Sequence, residues 1–197
     1  MWTDKLKTLD IILASGSPRR KQFFEDLGIE VSIDVRPVEE VYPEHLKGSE
    51  ISDYLALLKA SKFKGTLAKN QVVITSDTVV WHNSVSLAKP ADQTEAFEML
   101  KTLSNDWHEV ITSVCFTTAA FQKTLHSTTH VKFKILSDEE IWYYMHTFKP
   151  FDKAGGYGIQ EWIGLIGIEE IKGSYANVVG LPTHIVHKTL LEIAKDS

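Results

Sequence analysis

Two serines and two arginines follow directly on a short apolar run near the start of the chain. The run Ile11–Ala14 is typical of a buried strand, and the next six residues read Ser-Gly-Ser-Pro-Arg-Arg. Ser17 predicts a helix cap, with Pro18 at the first helical position. The N–H groups that open such a helix bind anions, and arginines match phosphate oxygens. On these residues alone, a phosphate site and a capped surface helix with two solvated arginines are equally good interpretations.

Asp77 is a single carboxylate within the β-rich stretch Gln71–Val80. Because carboxylates are rarely buried without a partner, Asp77 either makes a structural ion pair or turn, or faces a cleft. In a cleft it would bind a hard cation or accept a proton from water. The residues alone slightly favour the structural interpretation and leave both open.

Four more charged side chains have the chemistry of a polyphosphate site. Glu39 and Glu40 are carboxylates of the kind that hold Mg²⁺, and Lys62 and Lys89 offer point charges to phosphates. Each is most simply a solvated surface charge. Lys89 differs from the others because Pro90 follows it, which holds the backbone of Lys89 extended.

Gln160 ends a glycine-dense segment that begins near Lys153, and a second glycine-bearing segment covers 173–182. Glycines let the main chain approach a ligand closely, and the Gln160 amide has a donor and an acceptor that suit a base edge. A flexible loop is the alternative. No His-Glu-x-x-His motif or Gly-x-Ser-x-Gly elbow occurs, so zinc and serine hydrolases are disfavoured. Cys115 lies within an apolar strand and is typical of a small core residue rather than a nucleophile.

The elements that must position these residues alternate between strands and helices. Strands are predicted at 11–14, 30–36, 71–80, just before Lys89, 107–121 and 125–136, the last two forming a hairpin across 122–124. Helices are predicted from Pro18 to Gly28, at about 50–64, around 96–103, from a capping box at Ser137, and at about 183–195. Interleaved strands and helices with an antiparallel hairpin predict an α/β fold with a mixed sheet.

The chain has 197 residues, a net charge of −5 and 43% hydrophobic residues. This composition predicts one folded domain over residues 1–197. The single cysteine excludes an intramolecular disulfide. Neither a signal-peptide pattern nor an apolar run of about 20 residues is present, which predicts a soluble, cytoplasmic protein without a membrane partner. The acidic charge disfavours binding to a nucleic-acid polymer.

Taken together, six segments in this order resemble the Maf family, and the resemblance extends over residues 11–195. The segments are Leu13–Arg20, Ser76–Val80, Leu87–Pro90, His108–Thr112, Asp152–Gln160 and Gly173–Pro182. The resemblance implies a nucleoside triphosphate pyrophosphatase with a house-cleaning role, which converts an NTP and water to an NMP and pyrophosphate. It also implies a mixed, curved central sheet flanked by helices, with two lobes around a cleft, related to the inosine triphosphatase-like fold. A divalent metal is the implied cofactor, Mg²⁺ first and Mn²⁺ as the alternative, and homodimers are common in the family.

The resemblance also assigns roles to individual residues. Catalytic roles fall on Arg20, Glu40, Lys62, Asp77 and Lys89. Among these, Asp77 is in the position of the proposed general base. We expect the carboxylates Glu40 and Asp77 to hold the metal. Substrate-binding roles fall on Ser15, Ser17, Arg19, Thr78 and Gln160. The last three positions separate family members that hydrolyse dTTP and UTP from those that hydrolyse 7-methyl-GTP, and this chain is similar to the dTTP/UTP group.

The chain departs from the family pattern beside three of these positions. The departures are Ala88 before Lys89, Glu161-Trp162 after Gln160, and the sequence Lys59-Ala60-Ser61-Lys62. The alternative function is a nucleotide-sensing, non-catalytic regulator of cell division, because Maf relatives are linked to septum formation. Release of pyrophosphate from dTTP distinguishes the two functions. An oligonucleotide-binding module is disfavoured, since no stripe of interleaved lysines and aromatic residues is present.

Overall fold

The computed structural model describes residues 2–196. These residues fall into two compact units, which we call unit 1 and unit 2. Unit 1 comprises the chain up to Asp77, Thr112–Ser127 and the chain from Gly180 onwards. Unit 2 comprises Thr78–Ile111 and Thr128–Val179.

Helices and strands interleave along the chain, which confirms the predicted α/β class. The helices are α1 (Trp2–Leu6), α2 (Pro18–Asp26), α3 (Ser49–Ser61), α4 (Gln93–Leu103), α5 (Asp138–Phe148), α6 (Trp162–Gly167), α7 (Tyr175–Val179) and α8 (Thr183–Asp196). The strands are β1 (Asp10–Leu13), β2 (Ser32–Ile33), β3 (Gln71–His82), β4 (Val85–Leu87), β5 (Trp107–Thr117), β6 (Gln122–Phe133) and β7 (Ile168–Lys172). The strands lie in the order β2-β1-β3-β5-β6-β7, and β4 pairs with β3. Parallel and antiparallel pairs both occur, so the sheet is mixed as predicted.

In unit 1, β1 lies between β2 and the first part of β3, and both neighbours run parallel to it. Leu13 pairs with Ile74, and the Ala14 N–H donates to the Ile74 carbonyl at 2.9 Å. Because β3 continues in the same direction after β1 ends, this register brings the residues that follow β1 close to Ser76 and Asp77 in the middle of β3. Apolar side chains of β1, β3, α2 and α8 belong to the core of unit 1.

In unit 2, β4 pairs antiparallel with the end of β3, and β7 pairs antiparallel with β6. Asn83 and Ser84 join β3 to β4 with φ values of 49° and 65°, as a tight hairpin turn requires. The core of this unit is built on α4, α5 and β6, and it includes Tyr144 and Ile159. Helix α5 begins with the predicted capping box, in which Ser137 and Glu140 bond each other's backbone N–H groups.

The turn between β5 and β6 lies at residues 118–121, so the predicted link at 122–124 is wrong. The Thr118 hydroxyl accepts hydrogen bonds from the N–H groups of Ala120 and Phe121 at 3.2 and 3.0 Å. The Thr118 N–H in turn donates to the Phe121 carbonyl at 2.9 Å. A threonine side chain that bonds nearby backbone makes a turn without glycine or proline, which the sequence pattern does not reveal.

Two further boundaries differ from the prediction. The strand expected at 30–36 is reduced to Ser32–Ile33, because Arg36 turns back to Asp34 at 2.9 Å and to the Lys62 carbonyl at 2.8 Å. The glycine-dense segment also continues into helix α6 and strand β7, which were not predicted. The residues of β7 are mostly exposed, so they lack the alternation that identifies a half-buried strand.

Within residues 2–196, the structure contains no helix with the length and apolar character needed to cross a bilayer.

Candidate active site

Helix α2 begins at the edge where β1 ends, as the sequence predicts. The Ser17 hydroxyl caps the helix by accepting from the Arg20 N–H at 3.5 Å, and Pro18 is the first helical residue. The Ser15 hydroxyl accepts from the Ser17 N–H at 3.3 Å and is itself buried. The first N–H groups of a helix carry partial positive charge, so this edge favours an anion.

The guanidinium of Arg20 is held by three acceptors of unit 1. Its Nε donates to the Gly180 carbonyl at 2.8 Å, and its Nη1 donates to the Ser76 carbonyl at 3.0 Å and to Ser15 Oγ at 3.3 Å. These bonds join the segment that follows β1, the middle of β3 and the segment that leads into α8. Arg20 is therefore a fixed cation at the site edge, close enough to Asp77 for their charges to interact.

Lys59 of helix α3 contacts two carboxylates at once. Its Nζ lies 2.6 Å from Asp77 Oδ1 and 3.1 Å from Glu40 Oε1. The side chains of Lys59 and Asp77 are 17% and 11% exposed, whereas that of Glu40 is 46% exposed. Glu40 comes from the segment 34–48, which has no helix or strand. Lys59 therefore joins a buried aspartate to a carboxylate that reaches the solvent.

Burial raises the pKa of the Asp77 carboxyl above its ordinary value. The charge and hydrogen bond of Lys59 and the charge of Arg20 act in the opposite direction, and Glu40 adds to the rise. A carboxylate whose pKa is raised by desolvation is a stronger base than an exposed aspartate. Asp77 is therefore a buried carboxylate with a raised pKa and an ion-pair partner, Lys59, at 2.6 Å.

Lys62, to which the resemblance assigned a catalytic role, lies elsewhere. Its side chain is exposed at the end of α3, and its carbonyl accepts from Arg36. The sequence reasoning missed Lys59, although the residue comes four positions after buried Leu55 and three after buried Ala56, on the inward face of the helix. That helical spacing was the signal that could have identified it.

The other residues that the sequence singled out lie in different surroundings. Arg19 is half-buried in the first turn of α2 and belongs to unit 1. In unit 2, Thr78 is half-buried in β3, and Lys89 is exposed directly before buried Pro90. Gln160 is exposed in a turn that is closed by a hydrogen bond of 3.0 Å from the Glu161 N–H to the Gly158 carbonyl. Unit 1 by itself brings together Ser15, Arg20, Glu40 and Asp77.

The site offers a metal two carboxylates as ligands, those of Glu40 and Asp77, and both contact the Lys59 ammonium. Across residues 2–196, no three His, Cys, Asp or Glu side chains come together as a complete ligand cluster. Mg²⁺ is usually bound through one or two carboxylates together with substrate phosphates and water. Glu40 and Asp77 therefore fit Mg²⁺ that arrives with a polyphosphate, but not a cation held entirely by protein.

Comparisons with known proteins agree with the earlier resemblance. The family described as "Maf-like protein" matches residues 10–193. A "dTTP/UTP pyrophosphatase" of Christiangramia forsetii is 59% identical over 98% of both chains, and one of Flavobacterium johnsoniae is 53% identical over 96% of this chain and 98% of its own. The Staphylococcus aureus Ham1 protein aligns with 15% identity and a TM-score of 0.41, over 63% of this chain and 71% of that one, which is too low to support a conclusion. On the family match and these identities, the chain belongs to the Maf-like protein family.

Proposed function

We propose that this protein is a nucleoside triphosphate pyrophosphatase that hydrolyses dTTP and UTP to the monophosphate and pyrophosphate. The observation that carries the proposal is the buried Asp77, held by Lys59 and next to Arg20 at the edge where helix α2 begins. Relatives that are 46–59% identical over nearly the whole chain have the name dTTP/UTP pyrophosphatase, which supports the substrate class.

The start of α2 would bind the phosphates. Helix α2 begins directly after Ser15 and Ser17, and the dipole and first N–H groups of a helix favour negative charge at its start. Arg20 and Lys59 are held in place by contacts within the protein, so they need little reorganisation when charge develops on the phosphate oxygens. Lys89 of unit 2 would add a further cation.

Asp77 would act on the attacking water. The water oxygen forms a bond to the α-phosphorus, the bond from that phosphorus to the α–β bridging oxygen breaks, and pyrophosphate leaves with that oxygen. The proton of the water passes to the Asp77 carboxylate, which is a stronger base than an exposed aspartate because burial raises its pKa.

Glu40 and Asp77 would hold a divalent metal, with Mg²⁺ proposed before Mn²⁺. When bound, the metal neutralises part of the charge on the triphosphate oxygens. Glu40 is suited to this role because its side chain is half-exposed and comes from a segment without regular structure, so it can approach an incoming substrate. Homodimerisation and a cytoplasmic location stay predictions.

Arg19, Thr78 and Gln160 would select the base. Each has a side chain that donates hydrogen bonds, and Thr78 and Gln160 also offer acceptors. A site built to hydrogen-bond its substrate rejects a base that leaves buried donors unpaired, more sharply than an apolar pocket does.

Pyrophosphate release from dTTP and UTP tests the proposal. The wild-type protein with Mg²⁺ should release pyrophosphate rather than phosphate, and Asp77→Asn should lower kcat by about 100- to 1000-fold. Because burial already disfavours the charged form of Asp77, we expect the Asn variant to fold and to melt near the wild type. Asp138→Asn is the matched control, since Asp138 pairs with Lys101 at the same 2.6 Å but is 63% exposed.

Either half of the proposal can fail by itself. Wild-type protein that binds dTTP without releasing pyrophosphate would support the non-catalytic nucleotide sensor instead. Rapid pyrophosphate release by Asp77→Asn would leave the enzyme in place but remove Asp77 as its base.

A further inference from the structure

One buried hydroxyl joins both ends of the turn that contains Gln160. The Gly158 N–H donates to Tyr144 Oη at 2.9 Å, and the Tyr144 hydroxyl donates to the Glu161 carboxylate. The turn is closed by the Glu161 N–H, which donates to the Gly158 carbonyl at 3.0 Å. Tyr144 is fully buried on helix α5, so the turn is attached to a rigid element.

A buried ion pair holds Glu161 from its other side. Lys153 Nζ lies 3.1 Å from Glu161 Oε1, and the two side chains are 10% and 19% exposed. Burial raises the pKa of Tyr144 well above its ordinary value, and the hydrogen bond to Glu161 adds to the rise, so the hydroxyl keeps its proton. Both oxygens of the Glu161 carboxylate therefore have donors.

The two central residues of the turn have opposite environments. Ile159 is 5% exposed and packs into the core of unit 2, whereas Gln160 is exposed. Gln160 lines a cavity of about 400 Å³ together with Tyr175 and Leu165. A turn held at both ends and at Ile159 thus presents the Gln160 amide to an open cavity.

Gly158 provides the space that this amide occupies. A Cβ atom at position 158 would lie 2.8 Å from Gln160 Nε2 and 3.0 Å from Glu161 Cδ. Any side chain there would displace the amide or the carboxylate. The glycine at position 158 therefore leaves room for the Gln160 amide beside the turn.

We propose that Tyr144 and Glu161 are positioning residues for base selection, acting through Gln160. The inference rests on the proposed function, in which Gln160 contacts the base. An amide whose backbone is already ordered in the free protein costs less entropy to use in binding. It also cannot rotate with its turn to suit a different base, so a mismatched base leaves its donor or acceptor unpaired.

UTP and CTP form the most direct substrate pair, because their bases differ only at the edge that an amide would contact. Tyr144→Phe removes the hydroxyl that joins the ends of the turn, and Glu161→Gln removes the charge that pairs with Lys153. We expect the ratio of kcat/KM for UTP to that for CTP to fall by about 10- to 100-fold in Tyr144→Phe and by less in Glu161→Gln, mainly through KM. Tyr143→Phe, the same change at the neighbouring 52% exposed residue of α5, should keep the wild-type ratio.

A double-mutant cycle separates positioning from general loosening of the fold. In a Gln160→Ala background, Tyr144→Phe should cause no further loss of the ratio, because the amide it positions is gone. An equal further loss in that background would overturn the inference, as would unchanged ratios in both single variants. Glu161→Gln keeps an oxygen that accepts from Tyr144, so it carries the test if Tyr144→Phe does not fold.

The two proposals fail differently. Wild-type protein that releases no pyrophosphate from UTP overturns the proposed function and this inference with it. An active wild type whose UTP-to-CTP ratio survives both substitutions overturns the inference alone.

Discussion

Each unit of this protein contains a lysine held between two carboxylates, and the two clusters have almost the same distances. Lys59 of unit 1 lies 2.6 and 3.1 Å from its partners, and Lys153 of unit 2 lies 2.7 and 3.1 Å from its own. In both, one carboxylate is mostly buried and the other is at least 46% exposed. Ion-pair geometry by itself therefore does not separate a chemical site from a structural one.

The neighbours of the two clusters make the difference. Beside Lys59 there is a second cation, Arg20, and burial raises the pKa of the aspartate it contacts, Asp77. Beside Lys153 there is a neutral hydroxyl, that of Tyr144, which donates to Glu161 and accepts from backbone. The first cluster therefore has two cations for its two carboxylates, whereas the second has one cation and uses its hydrogen bonds to hold a turn.

Substitution of Lys59 should have the largest effect. Lys59→Met is expected to lower kcat/KM for dTTP by about 100- to 1000-fold, because a fixed cation next to the reacting phosphates is lost. Lys62→Met, at the exposed end of the same helix, should stay within about twofold of wild type. Pyrophosphate release measures both, and a larger loss for Lys62→Met would restore the role that the sequence assigned to Lys62.

Substitution of Lys153 should lower stability rather than kcat. Lys153→Met leaves Glu161 buried without its cation, which is expected to lower the free energy of unfolding by about 3 kcal/mol. Lys134→Met is the control. The ion pair between Lys134 and Glu140 is shorter, at 2.6 Å, but its side chains are about a third exposed, so its loss should cost less than about 1 kcal/mol. Urea unfolding measures both, and equal costs would contradict a structural role for the unit 2 pair.

The pH dependence of kcat/KM should show how the charges of Lys59 and Glu40 change the pKa of Asp77. In the proposed mechanism Asp77 acts deprotonated, so its raised pKa should set the acidic limb of kcat/KM, and the rate should increase as pH rises through that pKa. Lys59 lowers this pKa and Glu40 raises it, so Lys59→Met should move the limb to higher pH and Glu40→Gln should move it to lower pH. Shifts in the same direction would mean that a group other than Asp77 titrates.

A buried histidine of unit 2, His108, should affect stability instead of rate. Burial lowers the pKa of His108 to about 3, so the unfolded chain binds this proton near pH 6.5 and the folded chain does not. The contribution to stability is complete above pH 6.5 and is lost as pH falls towards 3, at about 1 kcal/mol per pH unit in the middle of that window. His108→Gln should flatten this part of the stability curve, and His130→Gln, at an exposed side chain, should not.

Much of the fold and several site residues could be predicted from local patterns. Ser17, Pro18 and Gly28 bound helix α2 as predicted, because caps and a left-handed glycine are local features. The capping box of α5 is confirmed for the same reason. The hairpin turn and strand β7 were missed, because one depends on a threonine side chain and the other on mostly exposed residues.

The sequence by itself determined the family, the α/β class and the types of side chain that meet phosphates, because these depend on motifs and on short-range spacing. The tertiary structure decided that Lys59 rather than Lys62 meets Asp77, and that Tyr144 holds the turn of Gln160. The contact of Lys59 with Asp77 joins residues 18 positions apart, and that of Tyr144 with Gly158 joins residues 14 positions apart. Which side chains meet across elements depends on how the cores pack. The Lys59 and Lys153 ion pairs have similar distances, and only this packing gives them different neighbours.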